Sequence, residues 1–286
     1  MSRVLGLGCG EPGGSAEILL TAALRAAGDA ELVRLTDLST DDDLWWLWER
    51  LVECDALIVS TPIMSRTIAA RLKSVIDRLL GPNADAAIIE HLVEIRRSGN
   101  EPAVPFRVDE RVLKPRVAGF LAVGGSLTPQ WKTLALPLLH TTAFSMHIAV
   151  VDQVVFSGAG TPRSILLDDA ALDRAARLGG NVASQLGVAF DDARYLGEPG
   201  LCPMCHLSVV ELTGTSVLCA TCGSAGELRA DGAIRWTDLS SSVLSMAEKR
   251  AHAREIQETA AAHGRRKAEL EERAAAFGVF DHVARP

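Results

Sequence analysis

The first two-thirds of this chain alternate between short apolar runs and helical patterns, and this alternation restricts the fold more than any other feature. The apolar runs are residues 3–8, 31–35, 56–60, 117–123 and 147–156. The helical patterns that follow them are residues 15–27, 41–54, 67–80, 130–142 and 168–186. Strands that are apolar on both faces and separated by helices are typical of a parallel sheet covered on both sides. We therefore predict an α/β fold with a five-stranded parallel sheet.

Three further segments surround this alternating pattern. Residues 82–116 interrupt it with a predicted helix over 84–97 and a Pro-rich, charged stretch. Such an insertion favours a surface excursion, and a lid or a subunit contact remains an alternative. After residue 197 the composition changes to short strand-like pieces around paired cysteines, followed by a helical pattern over 238–277. We expect domains at 1–197 and 198–236 and a C-terminal helical segment at 237–286.

Four of the six cysteines form two CxxC pairs, Cys202 with Cys205 and Cys219 with Cys222, whereas Cys9 and Cys54 stand alone. Two CxxC turns direct four thiolates at one tetrahedral centre, which suits Zn²⁺ in a closed structural site. The spacing predicts a short zinc ribbon, and redox disulfides or a rubredoxin-like iron centre are the alternatives. This segment carries two arginines against four carboxylates, which disfavours nucleic acid as its ligand.

Ligands of open α/β sheets bind outside the carboxyl ends of the strands, so the loops after the strands are the candidate site. The loop over residues 8–15 is rich in small residues that let backbone N–H groups approach an anion, and Ser15 is expected to cap the next helix. The loop over residues 61–67 opens with Thr-Pro, which holds the backbone extended, and Thr67 is expected to cap a helix. A third loop, residues 124–127, follows the fourth run. The candidate binding residues are Gly8, Cys9, Gly13, Gly14 and Ser15; Thr61, Pro62, Ile63, Met64, Ser65 and Arg66; and Gly124, Gly125 and Ser126.

Together these loops resemble those of the flavodoxin-like NAD(P)H-dependent FMN reductases and the related iron–sulfur flavoproteins. The resemblance covers about residues 1–190 and depends most on DALIVSTPIMSRTIAARLKSVIDRLL and on VAGFLAVGGS with AFSMHIAVV downstream. It implies a flavodoxin-like fold that binds FMN, with the phosphate at residues 8–15 and the isoalloxazine against residues 62–66 and 124–127. Two departures stand out. Glu11 occupies a position that is often basic in relatives, and Cys54 alone cannot supply the iron–sulfur cluster of that branch.

What the resemblance implies about function is an FMN-dependent NAD(P)H oxidoreductase. Hydride would pass from NAD(P)H to FMN and on to an unidentified acceptor, such as free flavin or a quinone. A flavin supplies this chemistry itself, so no catalytic side chain is assigned. Arg66 is a candidate for a nicotinamide phosphate or an acidic substrate, and a solvated arginine is the alternative. The alternative functions are a flavin-binding electron carrier and a zinc-ribbon scaffold without turnover.

Charge and length limit the partners. The formal net charge of −7 disfavours nucleic acid and anionic membranes, and no apolar run is long enough for a spanning helix. We expect a soluble cytoplasmic protein whose partner is a small-molecule electron acceptor or a flavoenzyme. The C-terminal helical pattern has only a thin apolar line, so it needs a surface to pack on. This predicts a homodimer or a larger assembly.

Overall fold

The alternating runs form a single parallel sheet. In a computed structural model of the chain, the described residues are 3–102, 104, 106–279 and 284. Residues 1–2, 103, 105, 280–283 and 285–286 belong to the predicted domains but lie outside the described residues. The strands of the sheet are β1 (Val4–Gly8), β2 (Ala30–Arg34), β3 (Ala56–Pro62), β4 (Val117–Val123) and β5 (Ala149–Phe156). Their order is β2-β1-β3-β4-β5, all parallel, so the predicted flavodoxin-like fold class is confirmed.

Helices cover both faces of this sheet. Their bounds are α1 (Ser15–Ala27), α2 (Asp41–Glu53), α3 (Ala70–Val75), α4 (Gly81–Asn83), α5 (Ala86–Arg97), α6 (Ala135–Leu139), α7 (Asp169–Ala183), α8 (Met246–Gly264) and α9 (Lys267–Phe277). Alternate side chains of each strand point to opposite faces. On β4, Phe120 therefore packs with α2 and α5, whereas Leu121 packs with α1 and α7. Two apolar cores result, one on each side of the sheet.

Two helix starts differ from the sequence prediction. Helix α1 begins one residue earlier than a serine cap would require, because Gly14 is its N-cap and Ser15 is its first residue. Helix α3 begins after Ala69, and Thr67 instead hydrogen-bonds to the carbonyl of Met64 within the preceding turn. The predicted capping roles of Ser15 and Thr67 are therefore wrong.

The helix expected over residues 130–142 is divided into short pieces. A 3₁₀ turn (Pro129–Trp131), helix α6 and a second 3₁₀ turn (His140–Thr142) replace it. Proline lacks the N–H that a helix interior needs, and the two prolines of this segment limit any continuous helix to a short length. The segment therefore follows the irregular course that shapes one side of the candidate site.

The segment at residues 82–116 is more than a surface excursion. Helix α5 lies within it, and its later part packs on α2, where the indole N–H of Trp48 donates to Asp109 at 3.0 Å. Arg116 is 1 % exposed and donates to backbone carbonyls that include those of Val52 and Cys54. A buried guanidinium needs such acceptors. The insertion thus completes the core on the α2 face.

The cysteine-rich segment forms a separate antiparallel sheet. Its strands are β6 (Val210–Thr213), β7 (Ser216–Cys219), β8 (Ala225–Leu228) and β9 (Ile234–Asp238), in sequential order. It docks on the edge strand β5, where the side-chain amide of Gln153 donates to the carbonyl of Cys205 at 2.8 Å. The ribbon is therefore tied to the middle of the large sheet's edge.

The predicted C-terminal helix is present as two helices, α8 and α9, which meet at residues 265–266. Arg250 of α8 forms two hydrogen bonds with Glu90 of α5, at 2.8 and 2.9 Å. Helix α9 buries no residue, and Leu270 and Phe277 are 50 % and 92 % exposed. The homodimer or larger assembly stays a prediction. Among the described residues, no helix is both long enough and apolar enough to cross a membrane.

His140 is held neutral where the ribbon meets β5. Because the amide nitrogen of Gln153 donates to Cys205, its oxygen faces His140 Nε2 at 2.9 Å, so that nitrogen carries the proton. Nδ1 has no hydrogen-bond partner among the described residues, and burial lowers the pKa of His140 to about 4. Protonation would place an unpaired charge in the core.

We expect His140 to make stability depend on pH. The unfolded chain, with a histidine pKa near 6.5, binds the proton more readily than the folded chain, so the free energy of unfolding falls as pH drops from 6.5 towards 4. Each unit of difference between the two pKa values is worth ~1.4 kcal/mol, so the free energy of unfolding falls by about 3 kcal/mol in total. Urea unfolding at several pH values should show a shallower pH dependence for His140→Gln than for wild type. The exposed His263→Gln is the matched control, and parallel curves for wild type and His140→Gln would refute this role.

Candidate functional site

Two clefts open at the carboxyl ends of the strands, on either side of the loop after β3. The larger, with a volume of about 710 Å³, lies between the loop after β1 and the segment after β5. The smaller, about 220 Å³, lies between the loops after β3 and β4. The strand order reverses direction between β1 and β3, and this is the position where open α/β sheets bind ligands.

The loop after β1 presents unused backbone donors to the larger cleft. Helix α1 starts here, and the N–H groups of Ser15, Ala16 and Glu17 have no acceptor among the described residues. The first turn of a helix leaves such donors free, and its dipole favours an anion. Since Ser15 does not cap the helix, its hydroxyl is also available. The loop therefore fits a phosphate group.

Carboxylates beside this loop are already paired with arginines. Glu11 accepts from Arg71 at 3.1 Å. Glu17 accepts from Arg34 at 2.6 and 3.0 Å and from the Gly13 N–H at 3.2 Å. The hydrogen bonds from Arg34 hold the pKa of Glu17 below its ordinary value. Glu11 therefore brings little net negative charge to the anion site that the sequence indicates here.

The loop after β3 is a tight turn with strained backbone. Ser65 and Arg66 have φ values of 47° and 73°, and Met64 and Thr67 exchange two backbone hydrogen bonds of 2.9 Å. Positive φ at both central residues is the pattern of a type I′ turn, which ordinarily selects Gly or Asn. Strain of this kind in a ligand cleft is a sign of function.

Arg66 stabilises the neighbouring loop. Its Nε donates to the carbonyl of Gln130 at 2.8 Å, and its Nη2 donates to Thr133 at 3.4 Å. The guanidinium thus links the turn after β3 to the segment that follows β4. The proposed role of Arg66 towards a nicotinamide phosphate stays a prediction, and part of its hydrogen-bonding capacity is already used.

Close backbone contacts shape the smaller cleft. A Cβ on Gly125 would lie 2.8 Å from the Cα of Gly160, so only glycine lets the loops after β4 and β5 approach this closely. Lys132 reaches across to the hydroxyl of Ser157 at 2.6 Å. Trp131, 55 % exposed, and Phe156 supply aromatic surface. A flat, largely apolar ring fits such a cleft.

The ionisable side chains that line the two clefts offer little acid–base chemistry. Among the described residues they are Cys9, Glu11, Arg66, Arg71 and Lys132, with neither histidine nor aspartate. Burial raises the pKa of the Cys9 thiol far above its ordinary value, so it stays protonated and is no nucleophile. A cofactor that supplies the chemistry itself would therefore suit this site.

The structure brings together most of the candidate residues. Cys9, Gly14, Ser15, Pro62 and Met64 line the larger cleft, and the smaller is lined by Ile63, Ser65, Arg66, Gly124, Gly125 and Ser126. Gly8 ends β1, and Gly13 packs against the guanidinium of Arg163 instead of lining a cleft. Thr61 is buried and accepts from the N–H of Ala69, so it shapes the loop.

Sequence reasoning missed the segment after β5. Residues 159–162 line the larger cleft, and Arg163 follows them directly. The signal was present, because SGAGTPR is a Gly-rich stretch placed after a strand at the same edge as the other three loops.

The four paired cysteines form one cluster. Their Sγ atoms all lie within 4.8 Å of one another, and all four residues are buried. The Cys202–Cys222 and Cys205–Cys219 sulfurs are 3.6 and 3.5 Å apart. These distances are far longer than the ~2.05 Å of a disulfide, and they approach the ~3.8 Å edge of a tetrahedron with 2.3 Å metal–sulfur bonds. The cluster is compatible with a small zinc ribbon.

Comparisons with known proteins cover nearly the whole chain. A family model described as NADPH-dependent FMN reductase matches residues 2–161. The flavone synthase cfoJ of Aspergillus candidus is 35 % identical over an alignment of 258 positions, which covers 79 % of this chain and 78 % of that protein. A solved structure named flavone reductase is 27 % identical, with a TM-score of 0.83 over 99 % of both chains.

Proposed function

Because this chain belongs to the NADPH-dependent FMN reductase family, and so is an NAD(P)H-dependent flavin oxidoreductase, we propose that its second substrate is a flavone-type molecule. The observation that carries the proposal is the chain's similarity to a flavone synthase and to a flavone reductase, both named for the same ring system. A flavone and its 2,3-dihydro form differ by one hydride and one proton across a single carbon–carbon bond. The two names describe opposite directions of that exchange.

The residues of the two clefts fit FMN. When bound, FMN supplies the ring that exchanges hydride with NAD(P)H and with a second substrate. The free N–H groups at the start of α1 and the Ser15 hydroxyl would hold the phosphate. The loops after β3 and β4 would hold the flat ring, since their glycines allow close backbone approach. The cofactor-binding role of each residue is part of the proposal.

The surface around the smaller cleft suits a planar, apolar substrate. Trp131 lines this cleft, Met64 lines the neighbouring larger cleft, and Leu127 follows Ser126 in the loop after β4. Their exposed fractions are 55 %, 58 % and 78 %. Exposed apolar side chains beside a cleft mark a binding surface. An aromatic ring such as that of Trp131 can stack on a flat substrate. These side chains would orient the substrate and exclude water from it.

Turnover of a flavone tests the proposal. We expect purified protein with FMN to oxidise NADPH under anaerobic conditions when a flavone is present, with the dihydro product detected by mass spectrometry. Trp131→Ala should raise the KM for the flavone about tenfold, because a lost aromatic contact weakens binding by ~1.4 kcal/mol. Leu167→Ala, which changes an exposed side chain that lines neither cleft, is the control.

A free flavin or a quinone is the second candidate acceptor. The matched family model is described by FMN reduction, which favours it. NADPH oxidation with added FMN or menadione and without any conversion of a flavone would contradict the flavone proposal and support this one.

We also propose that the four clustered cysteines hold a structural zinc ion. The support is a closed set of four buried thiols, which leaves no open position for catalysis. The ribbon's contact with Gln153 of β5 makes it part of the fold's edge. The prediction of two or more copies per assembly stands beside this, supported by the exposed apolar side chains of α9.

A further inference from the structure

We propose that Arg163 binds the phosphate of FMN and so replaces the basic residue that the loop after β1 lacks. This inference rests on the proposed use of that loop as the phosphate site. It adds a residue that lies outside the segment matched by the family model, which ends at residue 161.

Arg163 lies directly against the phosphate loop. A Cβ built on Gly13 would be 3.7 Å from Arg163 Nη2 and 4.0 Å from Nε. Gly13 directly precedes the helix cap Gly14, so the guanidinium is close to the free donors at the start of α1. The residues just before Arg163, Thr161 and Pro162, line the same cleft as Ser15. The side chain is therefore within reach of an anion held by that loop.

The guanidinium of Arg163 is available to pair with an anion at the loop after β1, because the neighbouring arginines Arg34 and Arg71 are already paired with carboxylates. The two carboxylates beside the loop are each paired with another arginine, Glu11 with Arg71 and Glu17 with Arg34. The side chain of Arg163 is exposed and forms no hydrogen bond or ion pair with the described residues, whereas its backbone carbonyl accepts from the N–H of Leu166. Arginine presents a fork of N–H donors that matches phosphate geometry, so one unpaired guanidinium here adds both charge and direction.

The backbone at Arg163 supports a role for its side chain. Its φ and ψ are 64° and 2°, in the left-handed region where an arginine is strained and a glycine is not. A strained residue beside a ligand cleft is an indication of function. For folding alone, glycine at position 163 would be at least as favourable as arginine.

Affinities for two flavins separate this role from others. FMN and riboflavin differ only in the phosphate, so the ratio of their Kd values measures the phosphate contribution. The full-length chain, freed of flavin, is titrated with each ligand by fluorescence quenching. The variants are Arg163→Gln, Arg163→Lys and Arg163→Gly. Arg177→Gln, which removes an exposed charge on α7, is the matched control.

We expect Arg163→Gln to weaken FMN binding about tenfold to a hundredfold, as for loss of a charge-assisted hydrogen bond. Riboflavin binding should be unchanged, and Arg177→Gln should behave as wild type. Arg163→Lys should recover part of the affinity, because lysine keeps the charge but not the fork. Arg163→Gly relieves backbone strain, so a loss of FMN affinity in a chain with undiminished melting temperature excludes misfolding.

Four results would overturn the inference. FMN affinity unchanged in Arg163→Gln would refute it and leave the proposed function intact. An equal loss for FMN and riboflavin would indicate a structural role. A lowered preference for NADPH over NADH with unchanged FMN affinity would mean that Arg163 meets the 2′-phosphate of NADPH instead. Wild-type protein that binds FMN no better than riboflavin would refute the phosphate site itself.

Discussion

Replacing Gly179 with alanine should destabilise the sheet domain by about 3 kcal/mol or more, the upper range for overpacking a tight contact. Gly179 lies on α7 where it crosses α1, and a Cβ there would be 1.9 Å from the carbonyl oxygen of Ala23 and 2.6 Å from its carbonyl carbon. Backbone atoms cannot rotate away as a flexible side chain can. The two helices would have to separate, which would open the apolar core between them and the sheet.

The adjacent Gly180 is the matched control. Nothing lies within 4 Å of a Cβ at this position, so Gly180→Ala keeps the packing and gains about 1 kcal/mol of helix propensity. Measured by urea unfolding, the free energy of unfolding should be lower than that of wild type for Gly179→Ala and higher for Gly180→Ala. Equal effects, or a tolerated Gly179→Ala, would mean that α1 and α7 do not approach as closely as described.

The same contact bears on the candidate site. Helix α1 presents its first turn to the larger cleft, and α7 holds α1 in place from the opposite side. A Gly179→Ala chain that still folds should therefore bind FMN more weakly, whereas Gly180→Ala should bind it as wild type does.

Replacing Cys205 with serine should abolish binding of the proposed zinc ion and unfold the ribbon. Structural zinc in small domains contributes about 10 kcal/mol or more of binding free energy, and this energy stabilises the fold itself. Serine supplies no thiolate, so the site loses one of its four ligands. Metal analysis should change from about one zinc per chain to almost none, since a structural site needs four ligands. Removing zinc from wild type with a chelator should have the same effect on the ribbon.

Cys54→Ala is the control for this experiment. Cys54 is buried and remote in sequence from the cluster, so its loss should leave the zinc content unchanged. Metal-free wild-type protein with four fewer titratable thiols would contradict the zinc site and indicate two disulfides. Iron in place of zinc, with the colour of an iron–thiolate centre, would favour the rubredoxin-like alternative.

Unfolding of the ribbon should also destabilise strand β5. The carbonyl of Cys205 accepts from Gln153, and Gln153 in turn accepts from His140. If the ribbon unfolds, the side-chain amide of Gln153 loses this acceptor and can rotate. The buried amide of Gln153 and the buried imidazole of His140 are then left without hydrogen-bond partners. We expect thermal unfolding of Cys205→Ser to begin at a lower temperature than that of wild type for the whole chain, and not only for the ribbon.

Much of the architecture could be predicted from the chain's local patterns. Short runs that are apolar on both faces, separated by helical patterns, predicted the parallel sheet, and strand β4 matches its predicted bounds. The spacing of two CxxC pairs predicted the cluster, because each pair forms its own turn. Small residues after β1, β3 and β4 indicated the loops that line the two clefts. All of these depend on contacts between residues that are near in sequence.

What the local patterns left open depends on residues that are far apart in sequence. The N–H groups that are free at the start of α1, the pairing of Glu11 with Arg71 and the use of Arg66 by the loop after β4 all follow from how separate loops meet. The approach of Arg163 to Gly13 joins residues 150 positions apart. Hydrophobic periodicity specifies which face of an element is buried. The partner of an exposed charge is decided only when the completed sheet brings its loops together.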